Sequence, residues 1–162
     1  MPTPAATPTP VATPSPTPAP TPQVDPTSGL KIAPPYTIAG DDPTMTAMLR
    51  AGMEASLGSS MAGSIPMGLR YVNRGKSVAG LVMVMQFPDG AIADAPTFLD
   101  SMTGSLGSDF TKLKILGQQV RLGKSQGQFA AVAKHDQGVM MVFAPTSKVA
   151  KALMTALIKA NK

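Results

Sequence analysis

The chain has no cysteine and no tryptophan, one histidine, one glutamate and only 4% aromatic residues among its 162. Without cysteine there is no disulfide scaffold, no thiolate metal site and no cysteine nucleophile. A single histidine, His135, excludes multi-histidine metal centres and leaves little acid–base machinery. A single glutamate, Glu54, excludes a pair of glutamates for glycoside hydrolysis, so an enzyme here would have to work with aspartates. The scarcity of aromatics argues against platforms that stack sugars or bases. No run approaches the ~20 apolar residues of a membrane-spanning helix.

Proline is abundant but uneven. Ten of the 17 prolines lie between Pro2 and Pro26, alternating with threonine, and residues 2–22 carry no charge. Val11 is the one sizeable apolar side chain in that stretch, so nothing there offsets the entropy of folding. Alternating proline fixes φ and biases its neighbours to extended backbone. Residues 1–27 are therefore read as a disordered or polyproline II linker, about 20 residues of which reach roughly 60 Å. Such Thr/Pro tracts resemble linkers of bacterial surface and secreted proteins, whose threonines often carry O-glycans. The expectation is an extracytoplasmic protein, secreted or anchored at the cell surface. No leader with a basic start and an apolar core precedes the tract, so the export signal is expected on a longer parent chain.

Residues 28–162 are the size of one domain. Asp42-Pro43 is a helix start, with Met45, Met48, Leu49 and Met53 at helical spacing up to Leu57-Gly58. Residues 58–67 read as a loop. Leu69–Asn73 and Ser77–Phe87 read as strands; in the second, Leu81, Met83, Met85 and Phe87 share one face and Val82 and Val84 the other. A strand apolar on both faces belongs at the centre of a covered sheet. Pro88-Asp89-Gly90 ends it, and Asp94 is expected to cap a helix burying Phe98, Leu99, Met102 and Leu106. From Phe110 a meander follows, with one apolar and one polar face per strand, then the fully apolar Val139–Ala144. Pro145-Thr146-Ser147 opens the strongest helix, with Val149, Ala152, Leu153, Ala156, Leu157 and Ala160 inward and Lys148, Lys151, Lys159 and Lys162 outside that stripe. The predicted fold is α+β: a mostly antiparallel sheet with about three helices packed on it. The triplet Gly75-Lys76-Ser77 recurs as Gly123-Lys124-Ser125, which suggests a β–β–α unit used twice.

The apolar strand Val139–Ala144, the Pro145 break and the closing helix, joined to a Thr/Pro linker, resemble small extracytoplasmic bacterial surface and lipoprotein domains of the PsbP-like fold. The likeness covers the order of elements over residues 36–162, without a specific motif. It implies a binding or assembly factor rather than an enzyme, and it assigns no residue a role.

Other motifs have plain explanations. A phosphate-binding loop needs a glycine five positions before Gly75 or Gly123, where Arg70 and Gln118 stand, so no nucleotide is expected. His135-Asp136 reads as an exposed turn rather than a catalytic pair, because triad partners meet across a fold. The methionines sit where periodicity demands core, and a thioether copper site would lack the usual histidine or cysteine partners. No cofactor and no metal is expected.

Charge carries the most information. Residues 28–109 have a net charge of −2, whereas residues 110–162 hold nine cations against Asp136, a net of +8. In the meander, Leu113, Ile115, Val120, Leu122 and Phe129 claim the core side. Lys112, Lys114, Arg121 and Lys134 are thereby forced onto the other, with Lys124 at the rim. This predicts a basic sheet face for an anionic polymer, an anionic lipid surface or an acidic protein. Nucleic acid is not favoured, since no aromatic interleaves with these charges. The expected function is non-enzymatic binding or assembly. The alternatives are a subunit of a surface polymer, which would self-associate through an apolar patch, and a small aspartate-dependent hydrolase, which needs a deep carboxylate-lined pocket.

Overall fold

The computed structural model describes residues 24–57, 63–87, 94, 96–107 and 109–162. Their elements run β1 (Tyr36–Asp41), α1 (Pro43–Leu57), β2 (Met67–Arg74), β3 (Ser77–Gln86), α2 (Phe98–Gly104), β4 (Thr111–Ile115), β5 (Gln118–Ser125), β6 (Gln128–His135), β7 (Gly138–Ala144) and α3 (Ser147–Ala160). The seven strands form one sheet in the order β1-β2-β3-β7-β6-β5-β4, and every pairing is antiparallel. This is the α+β architecture expected from the sequence. The tract before residue 24, the turn at 88–90, residues 58–62 with Met61, and the side chain of Met53 lie outside the described residues.

Two-residue links join β4 to β5, β5 to β6 and β6 to β7, with positive φ at Leu116, Gln126 and Asp136. Such tight links match the twist of the strands and fix their register. The fixed register separates two apolar layers. On one face Val82, Val84, Met140, Val142, Val120 and Ala131 are buried under Leu153, Met154 and Leu157 of α3. On the other, Met67, Leu69, Met83, Met85, Val139 and Met141 pack with Phe98 and Leu99 of α2 and with Met45 and Leu49 of α1. The alternation predicted for β3 is therefore observed, and β7 is the central strand. Over β3 and β7 both faces are covered as expected, because these strands are apolar on both sides and neither side can be left in water. The polar second face expected for the meander is corrected in part: Arg121 and Val132 are buried, whereas Lys112 and Lys114 of β4 stay exposed.

Asp42 caps α1 as predicted: its Oδ1 accepts from the Met45 amide at 3.0 Å. Thr146 caps α3, accepting from the Val149 amide at 3.2 Å. Asp94 does not cap α2. Thr97 occupies that position without a side-chain bond, and the Asp94 carboxylate accepts from Lys134 instead. Met48, expected inside, is 67% exposed. The buried face of α3 is wider than the predicted stripe, taking in Ala150, Met154 and Ile158. The two Gly-Lys-Ser triplets share sequence but not backbone setting. Gly75 makes the β2–β3 turn at φ 62°, followed by one strand and a helix, whereas Gly123-Lys124-Ser125 lies inside β5, with two strands before α3.

Two segments were not legible. β1 lies on the edge beside β2, and its Tyr36, Thr37 and Ile38 alternate too weakly to announce a strand. The second is the start of the domain. Residues 25–27, assigned from the sequence to the linker, are docked. The Arg70 guanidinium donates to the Asp25 carboxylate and, at 2.8 Å, to Thr27 Oγ1. Thr27 in turn donates to Asp25 through its amide and hydroxyl, at 2.8 and 2.6 Å. Gly68 makes room for this cluster, since a Cβ there would stand 2.0 Å from Asp25 Oδ1. Further on, the Ala33 amide donates to the Ala156 carbonyl of α3 at 3.1 Å. The domain thus begins at or before Asp25.

Two stability outcomes follow. Leu153 is wholly buried between α3 and the sheet, so Leu153→Ala costs about 2–5 kcal/mol in urea unfolding. Asp25→Ala leaves Arg70, whose side chain is 12% exposed, without its carboxylate, and lowers stability by about 1–3 kcal/mol. A neutral result for Asp25→Ala would mean the N-terminal clip is not formed in solution.

Candidate binding surface

The five cations proposed as one basic face are not equivalent. Lys112 of β4 and Arg121 of β5 are paired directly opposite each other, and Arg121 faces Val132 of β6. Like charges directly opposite in an antiparallel pair repel. Asp100, in the first turn of α2, lies between them. Its Oδ1 accepts from Arg121 Nε at 2.6 Å and its Oδ2 from Lys112 Nζ at 2.9 Å. The Arg121 side chain is 5% exposed, while that of Lys112 is 69% exposed. Arg121 is therefore a structural cation that fastens α2 to the edge of the sheet.

α2 is placed by its apolar residues. Phe98 and Leu99 are buried, and the Phe98 ring meets Phe87 edge-on, with centroids 5.4 Å apart. Thr103, also buried, donates its hydroxyl to the Leu99 carbonyl at 2.8 Å, so its polar atom is satisfied. An acid in the first turn complements the helix dipole. The bond from Arg121 and then that from Lys112 hold the Asp100 carboxyl down from 3.8 to about 2.

Lys134 donates to Asp94 at the mouth of a cleft of about 510 Å³. Phe98, Leu99, Gln118 and Asp136 also line it. Asp136 lies 3.6 Å from His135 Nε2, whose side chain is half-buried rather than exposed as expected for a turn. Lys114 is exposed on β4 and makes no ion pair among the described residues. Lys124 falls on the opposite side of the sheet. It lies two and four residues from Leu122 and Val120, hence on their side of the strand, and pairs with Phe129, which places it on the α3 face. The structure thus brings Lys112, Lys114, Arg121 and Lys134 to one face, pairs three of them with the two carboxylates of Asp94 and Asp100, and separates Lys124.

A different set of cations stays open. Lys148, Lys151 and Lys159 are exposed on α3, and Lys162 follows it. Residues 147–162 contain no acid. The sequence already put these lysines outside the buried stripe. What it did not announce is that Asp94 and Asp100 cross the fold to the strand cations and leave the helix lysines uncompensated. No family model, curated protein or solved structure matches the chain.

The pH consequence has a definite sign. The folded protein holds Asp100 ionised below its unfolded range, so its contribution is complete above about pH 3.8 and is lost as pH falls through about 2. Asp100→Asn lowers the unfolding midpoint at pH 7 and flattens its acid dependence below pH 4. Adding Arg121→Met to Asp100→Asn recovers part of the loss, because no unpartnered buried cation remains. Equal acid dependence in wild type and Asp100→Asn would refute the role assigned to this carboxylate.

Proposed function

We propose that the chain is a non-enzymatic, extracytoplasmic binding or assembly domain, presented on its Thr/Pro segment and engaging an anionic partner. The observation that carries this reading is the division of charge. Asp25, Asp94 and Asp100 are each held by a cation of the chain itself. Lys114, Lys124, Lys148, Lys151, Lys159 and Lys162 make no ion pair among the described residues. Internal acids thus stabilise the fold, and the remaining lysines project a positive field that attracts and orients a polyanion.

Presentation outside the cytoplasm is supported by the uncharged Thr/Pro composition of residues 2–22. The likeness to PsbP-like domains belongs to this reading as well, on the order of strands and closing helix over residues 36–162. A role in binding rather than catalysis is supported by the work the charged groups already do. Asp42 caps a helix, Asp100 bridges two strands and Asp25 secures the N-terminal segment.

Full-length chain passed over immobilised heparin at low ionic strength is retained, and it elutes as salt shortens the screening length toward about 8 Å and below. Passage in the flow-through at low salt would contradict the reading.

A further inference from the structure

We propose that the outer face of α3 is the contact surface and that its partner is a linear anionic polymer, held by Lys148, Lys151 and Lys159 with Lys124 and Lys31 flanking. The inference rests on the function proposed above and moves the site from the β4–β5 face to the helix.

At 3.6 residues per turn, Lys148, Lys151 and Lys159 fall within about 80° of one another around the helix axis, and they span about 16 Å along it. All three are exposed. The opposite side of α3 is clamped to the sheet by Leu153, Met154 and Leu157, so the lysines stand on a fixed ridge. Lys31 is held beside the last turn by two bonds with Asn161, at 3.0 and 2.6 Å. Lys162 donates to the Leu116 carbonyl at 2.9 Å. Asp136 stands near that C-terminal end, lining one cleft with Lys31 and Lys162, whereas the Lys148–Lys151 end has no acid in the first turn.

That end is also where lysine is least expected. The start of a helix carries positive dipole charge and favours acids, yet α3 has no acid in its first turn and has Lys148 there. Neither Lys148 nor Lys151 makes an ion pair among the described residues. The sequence sets cation against cation at this point and offsets it with nothing inside the chain. A bound polyanion supplies the missing counter-charge.

The form of the ridge selects a polymer over a bilayer. Within the arc of the three lysines the intervening residue is Thr155. The large apolar residues that stand exposed, Val24, Met48, Val78 and Leu116, are all outside α3. Membrane-surface helices pair their cations with apolar side chains that enter the lipid, and this ridge has none. A line of charge on a convex helix matches a strand of repeating carboxylates or sulfates.

The test uses the full chain and measures affinity for heparin and for polygalacturonate, which separate sulfate from carboxylate sources, and for phosphatidylglycerol vesicles. Lys148→Glu/Lys151→Glu is expected to weaken polymer binding roughly tenfold or more at low salt and to reduce the salt slope. Its thermal midpoint is expected to be unchanged or higher, because glutamates relieve the dipole conflict. Lys148→Gln/Lys151→Gln gives the same loss in a smaller degree and guards against an effect of introduced negative charge. Lys114→Glu, on the other face, keeps affinity within about twofold. If wild type binds polymer and the α3 variants bind equally well, the site is elsewhere and the proposed function stands without it. Tighter binding to vesicles than to either polymer makes the partner a membrane and overturns the choice made here. If wild type binds no polymer and no vesicle, the function itself fails.

Discussion

The central constraint is the pairing of β3 with β7. Leu81, Met83 and Met85 on one side and Val82 and Val84 on the other are matched residue by residue by Phe143, Met141, Val139, Val142 and Met140. A strand pair this apolar cannot leave either face in water, so the fold must supply two covers. α3 provides one and follows directly from β7. The other is assembled from α1 and the short α2, and it has to extend over strands that carry Lys112 and Arg121. Asp100 makes that extension possible by meeting both cations from the first turn of α2.

The same solution decides where charge remains. The acids that counter the strand cations come from the segment holding α2, and the acid that counters Arg70 comes from the residues leading into the domain. α3 has no such partner segment. It has a strongly apolar inner face and a purely cationic or neutral outer one, and the surplus positive charge of residues 110–162 is concentrated on its exposed side. The surface available to a partner is thus a consequence of how the second apolar face is closed.

The strong periodic elements were legible in the sequence. β3, β7, the cap at Asp42 and the opening of α3 at Thr146 depend on local pattern, and local pattern is what a sequence displays. The α+β architecture followed from their order. The elements missed depend on distant partners. β1 is an edge strand whose form comes from β2, and residues 25–27 are ordered by Arg70, 45 positions from Asp25. The candidate site failed for a related reason. Alternation correctly placed Lys112, Lys114, Arg121 and Lys134 on one side of the sheet. It carried no information about what lies over that side, and Arg121 proved to be buried by a helix 21 residues away. Lys124 was grouped with them by proximity in sequence, although its own register sets it among Val120, Leu122 and Phe129. The lysines of α3 were visible throughout, and only the fate of the acids distinguishes them.

The most direct measurement is a backbone amide NMR titration of the full chain with a heparin oligosaccharide at low salt. The account predicts fast-exchange shifts concentrated in residues 146–162 and around Lys124 and Lys31, reversed by added salt, with residues 111–121 of β4 and β5 unmoved. Shifts centred on Lys112, Lys114 and Arg121, with α3 silent, would contradict it.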